Sequence, residues 1–274
     1  MPIATLSEVL QPAYREGYAV AGLVCLGWED MCAYTEAAEQ EGVPVILQAG
    51  PGCREHTPLS VLGAMFRNLA ERASVPVVAH LDHGYAIEEC REAIECGFSS
   101  VMFDGSRKPL QQNIDETAAV VQLAHAADVS CEGEIGFVGY AEGESSAGTD
   151  PREAAEFAVA TQVDAMAISV GNVHLQQSES SGLDIGKIRD IEAVCTVPLV
   201  IHGGSGVPAA QRVELARTTA ICKFNVGTEL RMAFGSALRE AVISDEQRFD
   251  RNAILKDTVG PVSTAARKVL QSMR

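Results

Sequence analysis

Four of the six histidines fall in three short polar runs, His80-Leu81-Asp82-His83, Asn172-Val173-His174 and His202-Gly203-Gly204-Ser205. Three imidazoles that leave one position open to a substrate atom make a catalytic zinc site, because neutral imidazole is a preferred ligand of Zn2+. A lone histidine in such a run is more often a hydrogen-bonded structural residue. Three separate runs supplying histidine to one mouth are harder to read that way. His80 and His83 do not both qualify, since positions i and i+3 of a strand face opposite sides; at most one points at the mouth unless the strand has ended. Spacing alone does not choose between them. His56 and His125 lie in a loop and on a helical pattern and read as structural. Asp104, in Asp104-Gly105-Ser106, and Glu134, in Glu132-Gly133-Glu134, could orient the histidines or hold a second divalent cation. The run 202–206 (Gly203, Gly204, Ser205) exposes backbone N–H groups and a hydroxyl, and Asn225-Val226-Gly227-Thr228 offers the same kit, which suits a phosphate.

These runs need elements to bring them together. Short apolar runs rich in Val, Ile and Ala occur at 18–26, 44–50, 75–83, 99–106, 129–136, 164–172, 198–206 and 222–230. They lack strict alternation, as strands buried on both faces require, and glycine or polar residues end nearly every one. Amphipathic patterns lie between them: Val61, Met65 and Leu69 form one stripe, and Ile87, Cys90 and Ile94 another. Thr57-Pro58 suits an N-cap followed by the first helical residue, and Asp150-Pro151 with Glu153 suits a capped helix start. Eight strand–helix units without a linker or composition break predict an α/β fold, a single-domain (β/α)8 TIM barrel over 1–274, whose catalytic groups gather at the C-terminal strand ends. The runner-up, a doubly wound open sheet, usually carries a Gly-rich turn after its first strand, and the first strand here has none. The segment 136–150, with four glycines, reads as a mobile active-site loop.

Composition narrows the partners. The 274 residues carry 21 Lys and Arg against 37 Asp and Glu, a formal charge of −16. Such a chain has no long-range attraction for nucleic acid or anionic membrane, although a local nest of N–H groups can still bind a small anion. The eight cysteines show no C-x-x-C pair and read as small buried hydrophobes in a reducing compartment. No basic start followed by an apolar run is visible, so the expectation is a soluble cytoplasmic protein.

AHLDHG (79–84), SVMFDGS (100–106), EGEIGFVGYAE (132–142), HGGSGVP (202–208) and FNVGTELR (224–231), in this order, resemble the class II, metal-dependent fructose-bisphosphate and tagatose-bisphosphate aldolases. The resemblance implies a (β/α)8 barrel, usually a homo-oligomer, dimer or tetramer. It also implies cleavage of a ketose 1-phosphate or bisphosphate into dihydroxyacetone phosphate and an aldehyde through a zinc-stabilised enediolate. Carried over by residue, it makes His83, His174 and His202 the zinc ligands, and Asp104 and Glu134 ligands of a second metal. Asp82 becomes the acid that protonates the aldehyde-side oxygen, and Glu142 the group that handles the proton on the dihydroxyacetone phosphate carbon. Gly203, Ser205, Asn225 and Thr228 match substrate-binding positions, with Leu175, Gly204, Val226 and Gly227 beside them. The chain departs from the family pattern at four places. Val24 stands for an asparagine, Gly50 for a serine, Leu175 for a glycine that helps seat phosphate and a monovalent cation, and Gly227 for an aspartate of the fructose-bisphosphate enzymes. A ketose phosphate altered at its aldehyde end, a metallohydrolase and a non-catalytic paralogue are the alternative readings.

Overall fold

In the computed structural model, which describes residues 3–141, 143, 145–176, 182–245 and 247–274, eight parallel strands close into a barrel in sequential order. They are β1 (Val20–Val24), β2 (Val45–Ala49), β3 (Val77–Gly84), β4 (Ser100–Phe103), β5 (Ser130–Ile135), β6 (Ala165–Ile168), β7 (Leu199–Ile201) and β8 (Ile221–Val226). Each is shorter than its apolar run; β3 keeps His80, Asp82 and His83 within the strand, whereas the polar ends of the runs after β6 and β7 leave the sheet. Helices α2 (Trp28–Glu41), α4 (Leu59–Arg72), α5 (Ile87–Glu95), α6 (Leu110–His125), α7 (Pro151–Thr161), α8 (Ile185–Glu192), α9 (Ala209–Thr218) and α10 (Thr228–Ile243) follow the strands in turn. This is the (β/α)8 order that the sequence predicts.

Three further helices extend that count: α1 (Leu6–Glu16), α3 (Pro51–His56) and α11 (Arg251–Gln271). Helix α1 is held by a capping box between Thr5 and Glu8. It buries Leu6, Val9, Leu10 and Ala13 against Val20, Ile46, Val78, Met102 and their neighbours inside the barrel. A second, larger cluster joins the outward strand residues, such as Val77, Ala79 and Leu81, to the surrounding helices. The strands are thus buried on both faces, and α1 plugs the end opposite the mouth.

Helix starts followed the sequence in one place and not another. Asp150 caps α7, accepting from the backbone N–H of Arg152 and Glu153, with Pro151 at the first position. Thr57 instead ends α3, and Pro58 becomes the N-cap of α4 with Leu59 first in the helix. The extra turn α3 claims Thr57, a residue that local pattern alone assigns to the next helix. Six of the eight cysteines are buried and none is paired. Among the described residues no helix is long and apolar enough to cross a membrane.

Candidate active site

The sequence of β3 does something an ordinary strand cannot. His80 and Asp82 alternate inward, and then His83 takes a left-handed conformation, φ 54°, where the pairing of β3 with β4 slips between Leu81 and Gly84. Asp82 and His83, adjacent in sequence, therefore both face the cavity at the mouth. Arg54 on α3 clamps this kink. Its guanidinium donates to the carbonyls of Ala49 and Asp82 at 2.7 Å and of His83 at 3.0 Å, and it pairs with Glu89. His80 also points inward but lies deeper, fully buried, with Nδ1 2.8 Å from Ser100 Oγ. The strand rule that one histidine at most faces the mouth holds in outcome, and the bulge decides which one.

His83, His174 and His202 converge: one ligand atom of each lies within 4.8 Å of the others, and ring centroids are 4.7–5.6 Å apart. His174 is beyond β6, in a segment held by the loop after β5. Its N–H donates to Gly139 O at 2.8 Å, and its carbonyl accepts from Ala141 N–H at 3.0 Å. Tyr140 packs over the ring at 5.1 Å. The His202 carbonyl is fixed by Asn172 Nδ2 at 3.1 Å. His83 Nδ1 is 2.8 Å from Asp104 Oδ2, and His83, Asp104 and Glu134 form a second cluster of the same dimensions.

A divalent cation fits these residues. His174 Nε2, His202 Nδ1 and Glu134 Oε2 are buried without a hydrogen-bond partner, a condition that desolvated polar atoms rarely tolerate. Burial, reinforced by the neighbouring imidazole His83, pushes His174 down to about 3. Burial also lowers His202, so both are neutral and available as ligands. Burial alone would lower His83 too, but Asp82, the hydrogen bond with Asp104, and Glu134 raise it to about 10. Burial and the Asp104 charge push Glu134 well above the usual carboxylate range. Asp82, although desolvated, is held below its ordinary value by His83, His202 and Lys223 and is ionised. Three acidic side chains, Asp82, Asp104 and Glu134, thus lie around the three imidazoles, a donor set that suits a divalent cation.

The cavity these groups line measures about 250 Å3. One side is formed by His174, Leu175, Gly203 and Ser205, the other by Val24, Leu26, Pro51 and Cys53, with Thr228 and Arg231 on α10. Gly203 has φ 67°, and a Cβ there would sit 2.1 Å from Val173 O, so only glycine admits this close approach. Ser205 Oγ accepts from the backbone N–H of Gly227 and Glu229, joining the 202–206 turn to the start of α10. Arg212 Nε braces that turn from behind, donating to Gly204 O and Val207 O.

The profile of the family described as "Fructose-bisphosphate aldolase class-II" matches residues 4–274. The chain belongs to the class II fructose-bisphosphate aldolase family. It is 36% identical over 262 residues to the fructose-bisphosphate aldolase of Geobacillus stearothermophilus, covering 93% of this chain and 91% of that protein. It is 35% identical over 279 residues to the 6-phospho-5-dehydro-2-deoxy-D-gluconate aldolase of Shouchella clausii, with 99% and 94% covered. The crystal structure of the YdjI aldolase from Escherichia coli K12 superposes with a TM-score of 0.85 at 27% identity, covering 99% of this chain and 97% of that one.

Two of the positions where the sequence departs from the resemblance, Val24 and Gly227, touch each other. A Cβ at Gly227 would lie 3.1 Å from Val24 Cβ and Cγ2, so the side chain of Val24 fills the space that a larger residue at 227 needs. Gly50 leaves Asp82 Oδ2 facing the cavity, 3.4 Å from where a Cβ would be. Leu175 occupies a left-handed position, φ 57°, and is half exposed at the cavity edge. Asn225 Nδ2 donates to Asp82 Oδ1 at 3.3 Å. Two expected positions contribute no side chain to the cavity: Val226 is buried in the outer cluster, and Gly204 packs beneath, near Asn225 O and Val226. At the end of β8 the odd residue, 225, faces in, and its neighbour must face out. Glu142 lies outside the described residues. The described ends of the 136–150 loop are bonded in place, Phe137 and Ala147 exchanging two 2.8 Å hydrogen bonds. Sequence reasoning missed Arg54, Tyr140 and Arg231, and gave no role to Glu132. The i, i+2 relation of Glu132 to Glu134 was the one available signal, since it places both on the barrel's inner face.

Proposed function

We propose that this aldolase cleaves a ketose 1-phosphate or ketose bisphosphate between C3 and C4 to dihydroxyacetone phosphate and an aldehyde. The observation that carries the reading is the convergence of His83, His174 and His202 on one point beside an ionised Asp82. These three histidines would hold the catalytic divalent cation, assigned as Zn2+, and Asp104 and Glu134 would serve a second one. When bound, the catalytic cation supplies Lewis-acid stabilisation of the charge that cleavage leaves on the ketose oxygens. Asp82 takes the C4 hydroxyl proton as the C3–C4 bond breaks and returns it in the condensation direction. Glu142 delivers a proton to C3 of the departing half, which receives the electron pair. Gly203, Ser205 and the N–H groups opening α10 receive the phosphate. Tyr140 and the loop carrying it shield the histidines from water.

The aldehyde end is lined by Val24, Leu26, Pro51 and Cys53, with the Arg231 guanidinium at the rim. That lining suits a distal portion with apolar carbon and an anionic terminus, phosphate or carboxylate, and one relative is named for a phosphorylated dehydro-deoxy-gluconate. A cytoplasmic homo-oligomer completes the proposal. The test is a panel of fructose and tagatose 1,6-bisphosphates, a ketose 1-phosphate and a carboxylate-terminated ketose phosphate, with coupled detection of dihydroxyacetone phosphate. Formation of that product from at least one of them, lost in His83→Ala, His174→Ala and His202→Ala together with bound zinc, is expected. Release of inorganic phosphate without carbon–carbon cleavage would make it a metallohydrolase. Turnover of none would favour a non-catalytic paralogue.

A further inference from the structure

From His202 downward runs a chain of buried polar side chains, four of which the reaction does not use. Ser100, His80, Lys223, Glu132 and His202 follow one another through the barrel interior, and each is fully buried. Hydrogen-bond chemistry fixes the direction of every link. A lysine ammonium has donors and no acceptor, so His80 Nε2, 3.3 Å from Lys223 Nζ, must accept. The His80 proton is therefore on Nδ1, aimed at Ser100 Oγ. Glu132 Oε2 accepts from Lys223 Nζ at 2.5 Å, which leaves Oε1 to accept from His202 Nε2 at 3.1 Å. A neutral His202 that donates through Nε2 carries its lone pair on Nδ1, the atom that has no partner and lies 3.4 Å from Glu134 Oε2.

We propose that Lys223 is a positioning residue for the metal centre: by anchoring Glu132 it locks His202 into the Nε2–H tautomer and presents Nδ1 to the cation. The inference rests on the three-histidine reading given above. Carboxylates that hold metal-bound histidines in this manner are general, and their loss typically weakens metal binding 10–100-fold. The distinguishing feature here is the ammonium behind the carboxylate, in a layer with no solvent to replace it. Without it Glu132 becomes a buried carboxylate lacking its closest partner, and its hold on His202 fails.

The test uses the full chain, stripped of metal and titrated with Co2+ and Zn2+ against a chromophoric chelator, with the Co2+ absorption spectrum reading coordination. Lys223→Met and Glu132→Gln are each expected to weaken cation binding by about 10–100-fold and to alter the Co2+ spectrum. The double variant should be within about twofold of the weaker single one, because residues acting in series are not additive. Wild-type affinity and spectrum in a folded Lys223→Met would overturn the proposal. Nitrogen-15 correlation spectra of the wild-type holoprotein provide a measurement that needs no variant. They are expected to show His202 protonated at Nε2 and His80 at Nδ1, and a His202 proton on Nδ1 would overturn the proposal whether or not Lys223→Met folds. A wild-type chain that takes up no Co2+ would instead overturn the three-histidine site itself.

Discussion

Asp82 and His83 are adjacent residues with separate tasks, and a left-handed backbone at His83 lets both reach one cavity. Asp82 is held below its ordinary value by His83 and His202 despite its burial, and the proposed function gives it proton exchange with the departing oxygen alone. Asp82→Ala should therefore slow carbon–carbon cleavage by about 10²–10⁴-fold and leave zinc content and much of the hydrogen exchange of dihydroxyacetone phosphate intact; equal loss of exchange would mean the role is misassigned. Leu175 marks the other end. Its left-handed φ costs a leucine about 1–2 kcal/mol, and its half-exposed side chain gives little packing in return. Leu175→Gly should change stability by no more than about 1 kcal/mol, strain relief offsetting glycine's greater unfolded-state entropy. It should also lower KM for fructose 1,6-bisphosphate by opening the phosphate side; a raised KM would count against that placement. At this scale type and spacing marked His80, His83, His174 and His202 as candidates, while the family resemblance, not the spacing, selected His83 and singled out Asp82. The kink that selects His83 over His80 was not legible, since nothing in Leu-Asp-His-Gly announces a left-handed histidine held by a distant arginine.

Among the elements, strand order and number could be read from apolar runs bounded by polar ends, and α7 from its Asp-Pro start. Helix α3 could not, because a six-residue turn shows no period, and its presence moved the start of α4. Helix α1, ahead of the first strand, is not among the helical patterns read from the sequence, and its position across the bottom of the barrel is a tertiary fact. That position separates stability from chemistry: the active site is built at one end of the strands and the plug closes the other. Leu10→Ala, deleting a fully buried side chain from the plug, should cost about 2–5 kcal/mol in denaturant unfolding and leave kcat/KM unchanged at temperatures where the protein is folded. A large fall in kcat/KM would mean that the plug also shapes the site.

For the whole molecule, buried charge gathers at the side chains that could hold a cation. The chain as a whole is strongly acidic, yet its interior negative charge is concentrated at Asp82, Asp104, Glu132 and Glu134, where the three histidines and Lys223 meet it. A cation bound there stabilises the folded state by mass action, about 4 kcal/mol at a thousandfold excess over Kd. Stripping metal with a chelator should then lower Tm by on the order of 10 °C, reversed by adding Zn2+; an unchanged Tm would argue that no cation binds these residues. The central claim, a metal-dependent aldolase acting through dihydroxyacetone phosphate, is tested most directly by incubating the protein with that compound in D2O and following its C–H signals by proton NMR. The account expects stereospecific loss of one C–H signal that chelator abolishes and Zn2+ restores. Absence of exchange by the zinc-loaded protein, or exchange that persists after chelation, would contradict it.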